Sequence, residues 1–112
     1  MTIAQTILEQ IGGNKFIAMT GASHFIDDGN TLRMNLAKNM SKANRLYITL
    51  DFDDTYTMHF FYYRPVGWKV DHKKRAVTKR PEIMKDVYKI SGVYFDQLQD
   101  IFTQVTGMDT HL

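Results

Sequence analysis

The chain of 112 residues contains no cysteine. That excludes a disulfide framework, a thiolate nucleophile and a cysteine-ligated zinc site, and it agrees with a reducing cytoplasm. Proline occurs only twice, so a proline-rich linker or recognition segment is excluded. No apolar run approaches the ~18 residues of a membrane span. Residues 1–12 lack the basic stretch and apolar core of a secretory leader. Neither sign of charge dominates: 14 Lys and Arg against 12 Asp and Glu leave a formal net charge of +2, too small by itself to point to nucleic acid.

What remains is the composition of a folded globular protein. Hydrophobic residues make up 44% and charged residues 23%, which argues against disorder. The length fits one domain over residues 1–112. Charge is nevertheless uneven. Lys69, Lys73, Lys74, Arg75, Lys79 and Arg80 stand together with Asp71 as the one acid, while Asp51, Asp53 and Asp54 form an acidic stretch. Methionine, at seven residues, fills irregular core gaps and also adaptable interaction surfaces.

Periodicity outlines the elements. Thr2 with Gln5 three residues on forms a capping-box signature. Ile3, Ile7, Leu8 and Ile11 then share a helical face, and Gly12-Gly13 ends it. Residues 16–20 read as a short strand. His24 to Leu36 reads as a hairpin around Asp27-Asp28-Gly29-Asn30. Residues 37–44 read as a loop. Arg45 to Leu50 and Thr55 to Tyr63 alternate as strands, with Arg33, Arg45, Tyr47, His59, Phe61 and Tyr63 on the face opposite Leu46, Ile48, Met58 and Phe60. Residues 66–70 and 76–79 form a basic hairpin. From Pro81, Ile83, Val87, Ile90, Tyr94, Leu98, Ile101 and Val105 recur at steps of three and four, the stripe of a long helix, with a kink or break at Ser91-Gly92 and a stop at Gly107. The expected fold is α+β: a short N-terminal helix, a mainly antiparallel sheet of five to six strands, and a long C-terminal helix packed on one sheet face.

Ile48 to Thr55 ends in Asp51-Phe52-Asp53-Asp54-Thr55, the form of the nucleophile loop in haloacid-dehalogenase-type phosphatases. There Asp51 would attack phosphorus, Asp53 would act as acid and base, and both would help hold magnesium. That chemistry needs a parallel strand, a loop and then a helix. The next segment alternates with period two, so these aspartates read as a tight turn. The basic segment with Trp68 at its edge has the residue types for phosphate contact and base stacking, as does the aromatic and basic strand face; a solvated sheet edge guarded by lysine is the plainer reading. His24, His59, His72 and His111 lack metal-ligand spacing. Gly12-Gly13-Asn14-Lys15 contains the residues of a phosphate loop, but a helix precedes the glycines where a strand is required. Met108 to Leu112 forms a tail with no evident core role.

Three stretches carry a resemblance: Ile11 to Ala22 (IGGNKFIAMTGA), Ser41 to Leu50 (SKANRLYITL) and Leu98 to Gly107 (LQDIFTQVTG) with its His111-Leu112 end. Together they resemble small uncharacterised proteins carried by bacteriophages and bacterial mobile elements. The resemblance implies a bacterial cytoplasmic setting and transfers no functional residue.

The expected function is that of a non-enzymatic phage or mobile-element accessory protein that binds a macromolecule, a protein being favoured. The alternative is nucleic-acid binding through Trp68, Lys69, Lys73, Lys74, Arg75, Lys79, Arg80 and the aromatic sheet face. A third reading is a metal-dependent phosphotransfer enzyme using Asp51 and Asp53. No cofactor, no metal and no membrane partner are expected, and an exposed edge strand leaves self-association open.

Overall fold

A computed structural model describes residues 2–108. The chain opens with helices α1 (Ile3–Ile11) and α2 (Gly13–Thr20). It then forms β1 (Ser23–Asp28), β2 (Thr31–Asn35), β3 (Arg45–Leu50), β4 (Tyr56–Arg64), β5 (Gly67–Asp71), β6 (Ala76–Arg80) and β7 (Ile83–Val93), and closes with a 3₁₀ turn (Phe95–Gln97) and helix α3 (Leu98–Thr106). The architecture is α+β. Five strands form an antiparallel sheet in the order β1-β2-β3-β4-β7, and β5-β6 form a separate two-stranded hairpin.

The Thr2 side chain accepts from the Gln5 N–H, and the Gln5 side chain accepts from the Thr2 N–H, closing the capping box that begins α1. Gly12 ends α1 at φ +131°, but the chain turns straight into a second helix. Residues 16–20, read from the sequence as a strand, are therefore helical. One turn of α2 buries Phe16 and Thr20 together, the i, i+4 spacing of one helix face. A few residues of mixed propensity do not reveal that spacing as a helix on their own.

The long C-terminal helix is likewise corrected. Residues 83–93 form β7, antiparallel to β4, and only residues 98–106 form the α-helix. The misleading period has a physical cause. Arg64 pairs with Ile83 and Phe61 with Asp86; then the register slips, so that Phe60 pairs with Tyr88 and Met58 with Ile90, and it slips again before Tyr56 pairs with Val93. Each bulge adds one residue to β7. Ile83, Val87, Ile90 and Val93 are thus spaced by four, three and three in sequence although the chain is extended. Gly92 takes φ +70° at the second slip, a conformation glycine adopts without cost.

The core gathers Ala4, Ile7 and Ile11 of α1, Phe16 of α2, Leu32 and Met34, Leu46 and Ile48, Tyr56, Met58 and Phe60, Val93, and Leu98 and Phe102 of α3. Phe102 meets Phe16 edge-on at 4.9 Å between ring centroids and lies 6.3 Å from Phe60. Each such buried ring contributes about 1.5–3 kcal/mol of apolar burial. Helices α2 and α3 end by the same device. The Thr20 hydroxyl donates to the Phe16 carbonyl at 2.7 Å and the Thr106 hydroxyl to the Phe102 carbonyl at 2.8 Å. Gly21 and Gly107 follow in the left-handed conformation. A Phe-x-x-x-Thr-Gly pattern at 16–21 and 102–107 writes this device twice in the sequence. No helix among the described residues is long and apolar enough to cross a membrane.

Candidate functional site

Alternation puts every second side chain of the central strands on the face away from the core. Register aligns these side chains in rows. Arg33 stands opposite Tyr47, Tyr47 opposite His59, and His59 opposite Lys89. In the next row Asn35 stands opposite Arg45, Arg45 opposite Phe61, and Phe61 opposite Asp86. Tyr63 pairs with Met84 beyond them.

The rows pack as layers. The Arg33 guanidinium lies 4.8 Å from the centre of the Tyr47 ring and that of Arg45 5.4 Å from the Tyr63 ring, within cation–π range. Tyr47 meets Phe61 edge-on at 4.9 Å, and His59 lies 4.8 Å from the same ring. Phe61 is thereby only 2% exposed although it points away from the core. His59 Nε2 is 2.7 Å from Asp86 Oδ1. Arg33 makes one loose ion pair, 3.7 Å to Asp28, and its Nε is buried without a partner. An unpaired buried donor costs about 1–3 kcal/mol.

Two concavities lie on this face and share Tyr47. The larger, 520 Å³, has Arg33, Arg45, Phe61 and Tyr63 in its lining and reaches Glu82 and Met84 at its edge. The smaller, 300 Å³, is lined by Thr49, Asp51, Thr57, His59, Lys89 and Ser91. A hydroxyl row closes this end: Thr31 Oγ1 lies 2.9 Å from Thr49 Oγ1, and Thr57 Oγ1 donates to Asp51 Oδ2 at 2.6 Å.

One positioning residue escapes sequence reading. Asn44 precedes β3, yet its side chain continues the ladder: Nδ2 donates to the Tyr63 carbonyl and Oδ1 accepts from the Tyr63 N–H, both at 2.7 Å. This fixes the backbone that carries Tyr63. An asparagine next to a strand reads as loop, so only the pairing reveals its role.

The basic segment forms the β5-β6 hairpin, with Trp68 opposite Lys79 and Gly67 opposite Arg80. Its turn is held by Asp71 Oδ1, which accepts from the Lys73 and Lys74 N–H groups at 3.0 and 3.2 Å. Trp68 is 67% exposed, and Lys69, Lys73, Lys74, Arg75, Lys79 and Arg80 are exposed as well. Among the described residues none of these six cations is in an ion pair.

The Asp51 to Thr55 stretch is a turn between two antiparallel strands. The Asp51 N–H donates to the Thr55 carbonyl at 2.8 Å, and Asp54 takes φ +64°. Asp53 Oδ1 accepts from the Thr55 hydroxyl at 2.6 Å and from its N–H at 3.2 Å. These bonds, the hydroxyl first, hold the Asp53 carboxyl below its ordinary value of 3.8. The strand–loop–helix unit of the phosphatase reading is not formed here, because β4 follows directly.

Gly12-Gly13-Asn14-Lys15 joins two helices, so no strand feeds it. His24 lies at the rim of the larger concavity with its Nδ1 2.9 Å from Ser23 Oγ, and His72 is exposed in the hairpin turn. Among the described residues no group of three His, Asp or Glu stands together to hold a metal ion. Met108 packs against the core, while the rest of the tail, with His111, lies outside the described residues. Comparison with protein-family models, curated proteins and solved structures finds no match to this chain.

Proposed function

We propose that this protein is a non-enzymatic binding protein, acting in a bacterial cell, that engages a macromolecule across the sheet face bearing Arg33, Arg45, Tyr47 and Tyr63. The observation that carries the reading is the layering of guanidinium groups on tyrosine rings around a 520 Å³ concavity on the face away from the core. Aromatic and arginine side chains concentrate binding energy because they bring large, rigid area and several donors at low entropic cost. The basic hairpin follows this face along the chain: β4 carries Tyr63 and leads within three residues to β5.

A photo-crosslinking p-benzoylphenylalanine in place of Tyr63 tests this in bacterial cells. It should form a discrete macromolecular adduct, and the same group at exposed Glu9 of α1 should not. Equal capture from both positions, or none from position 63, removes the face as the binding surface.

A further inference from the structure

Resting on that reading, we infer that the macromolecule bound by this face is single-stranded nucleic acid, its bases stacking on the rows of Tyr47 and Tyr63 and its backbone passing along the β5-β6 hairpin. Four observations converge. The face offers planar groups in layers, and a base can stack on a tyrosine ring or on a guanidinium plane. The Arg33 and Arg45 guanidinium groups already lie against such rings at 4.8 and 5.4 Å.

Most cations of this face and the hairpin lack a carboxylate partner among the described residues. Among the described residues Arg33 is the one Lys or Arg in an ion pair, at 3.7 Å, leaving Arg45, Lys89 and the hairpin cations without carboxylate partners. Arg33 lines the concavity with a guanidinium held over the Tyr47 ring.

The two surfaces are also joined along the chain. The larger concavity extends to Tyr63 and Met84, at the strand ends from which the hairpin departs. The hairpin's five-residue strands reach about 17 Å further at 3.4 Å per residue.

Acidic groups decide between nucleic-acid forms. Asp51, Glu82 and Asp86 border the same face. A surface that simply matched the phosphate lattice of a duplex would be uniformly basic. Mixed charge around half-buried tyrosine rings suits unpaired bases, with phosphates confined to Arg45, Lys89 and the hairpin. Asp86 is further engaged by His59 at 2.7 Å.

The test is fluorescence anisotropy of labelled single-stranded DNA and RNA, and of duplexes of the same sequence, over a salt series. Single strands should bind more tightly than duplexes, with affinity falling as salt rises. Tyr47→Ala should weaken binding about 5- to 150-fold, the range for removing one stacked base, with the salt slope unchanged. Arg45→Gln, which removes the guanidinium lying over the Tyr63 ring, should lower both affinity and slope.

The triple change Lys73→Ala, Lys74→Ala and Arg75→Ala should reduce the slope of log K against log salt by about 2, near 0.7 for each phosphate of a single strand that the protein ceases to neutralise. Absence of single-strand binding at low salt, duplex binding as tight as single-strand binding, or indifference to Tyr47→Ala overturns the inference. If no oligonucleotide binds while the crosslinker at position 63 captures a protein, nucleic acid falls and the binding face stands. If neither occurs, both fall.

Discussion

At the scale of single residues, adjacent glycines carry different burdens. Gly12 takes φ +131°, and a Cβ there would stand 2.9 Å from the Phe16 Cβ and 3.0 Å from the Gln99 side chain. Gly13 takes φ +58° with nothing within 4 Å. Gly12→Ala should therefore cost about 2 kcal/mol or more in urea denaturation, from backbone strain plus a steric clash, and Gly13→Ala about 1 kcal/mol from backbone strain alone. Equal losses would contradict the close approach of Phe16 and Gln99 to Gly12.

Asp53 gives a pH prediction of known sign. Its folded carboxyl is held below its ordinary value of 3.8 by the Thr55 hydroxyl and N–H. The stabilisation is present above the unfolded value and is lost as pH falls through the lower folded one. Urea midpoints measured from pH 6 downward should fall less steeply below about pH 4 in Asp53→Asn than in the unaltered protein. Identical curves would show that the turn does not hold the charged form.

At the scale of elements, the central strands with unbroken alternation were legible in the sequence, and the twice-bulged β7 was not. Arg45–Leu50 and Tyr56–Arg64 pair without a slip, so period two survives from one to the other. In β7 two slips convert period two into steps of three and four, which is the helical signature. Helix α3 was legible as part of a longer helix; its start was not, because Tyr94 continues the apolar stripe up to a 3₁₀ turn.

Helix α3 is short, nine residues, and such helices draw their stability from packing. Phe102, fully buried between Phe16 and Phe60, should cost about 3–5 kcal/mol as Phe102→Ala in chemical denaturation. A loss below about 1 kcal/mol would mean that α3 does not close the core.

At the scale of the whole molecule, the fold is elongated. The long axis is 54 Å against 31 and 23 Å, and the radius of gyration is 16.4 Å, where a rounded domain of this length would have about 13 Å. The β5-β6 hairpin contributes no residue to the core cluster. Exposed basic turns of this kind are the first sites of proteolysis. Limited trypsin digestion should cut first between Lys73 and Arg75, before any site in the five-stranded sheet. First cleavage at Arg33, Arg45 or Lys89 would contradict the separation of hairpin and core.

Local pattern along the chain was enough for the α+β class, the capping of α1, the two central strands with their apolar and aromatic faces, and the basic hairpin with its residue boundaries nearly as observed. Side-chain alternation, cap chemistry and charge density act within a few residues, so each is written where it operates. The remaining features came from packing between distant segments. Burial of Phe16 against Phe102 makes Gly13–Thr20 a helix, and the partner offered by β4 makes Ile83–Val93 a strand. Pairing across four strands brings Arg33, Tyr47, His59 and Lys89 into one row. Such a row depends on register between segments distant along the chain, and register is fixed by which apolar face each strand must bury.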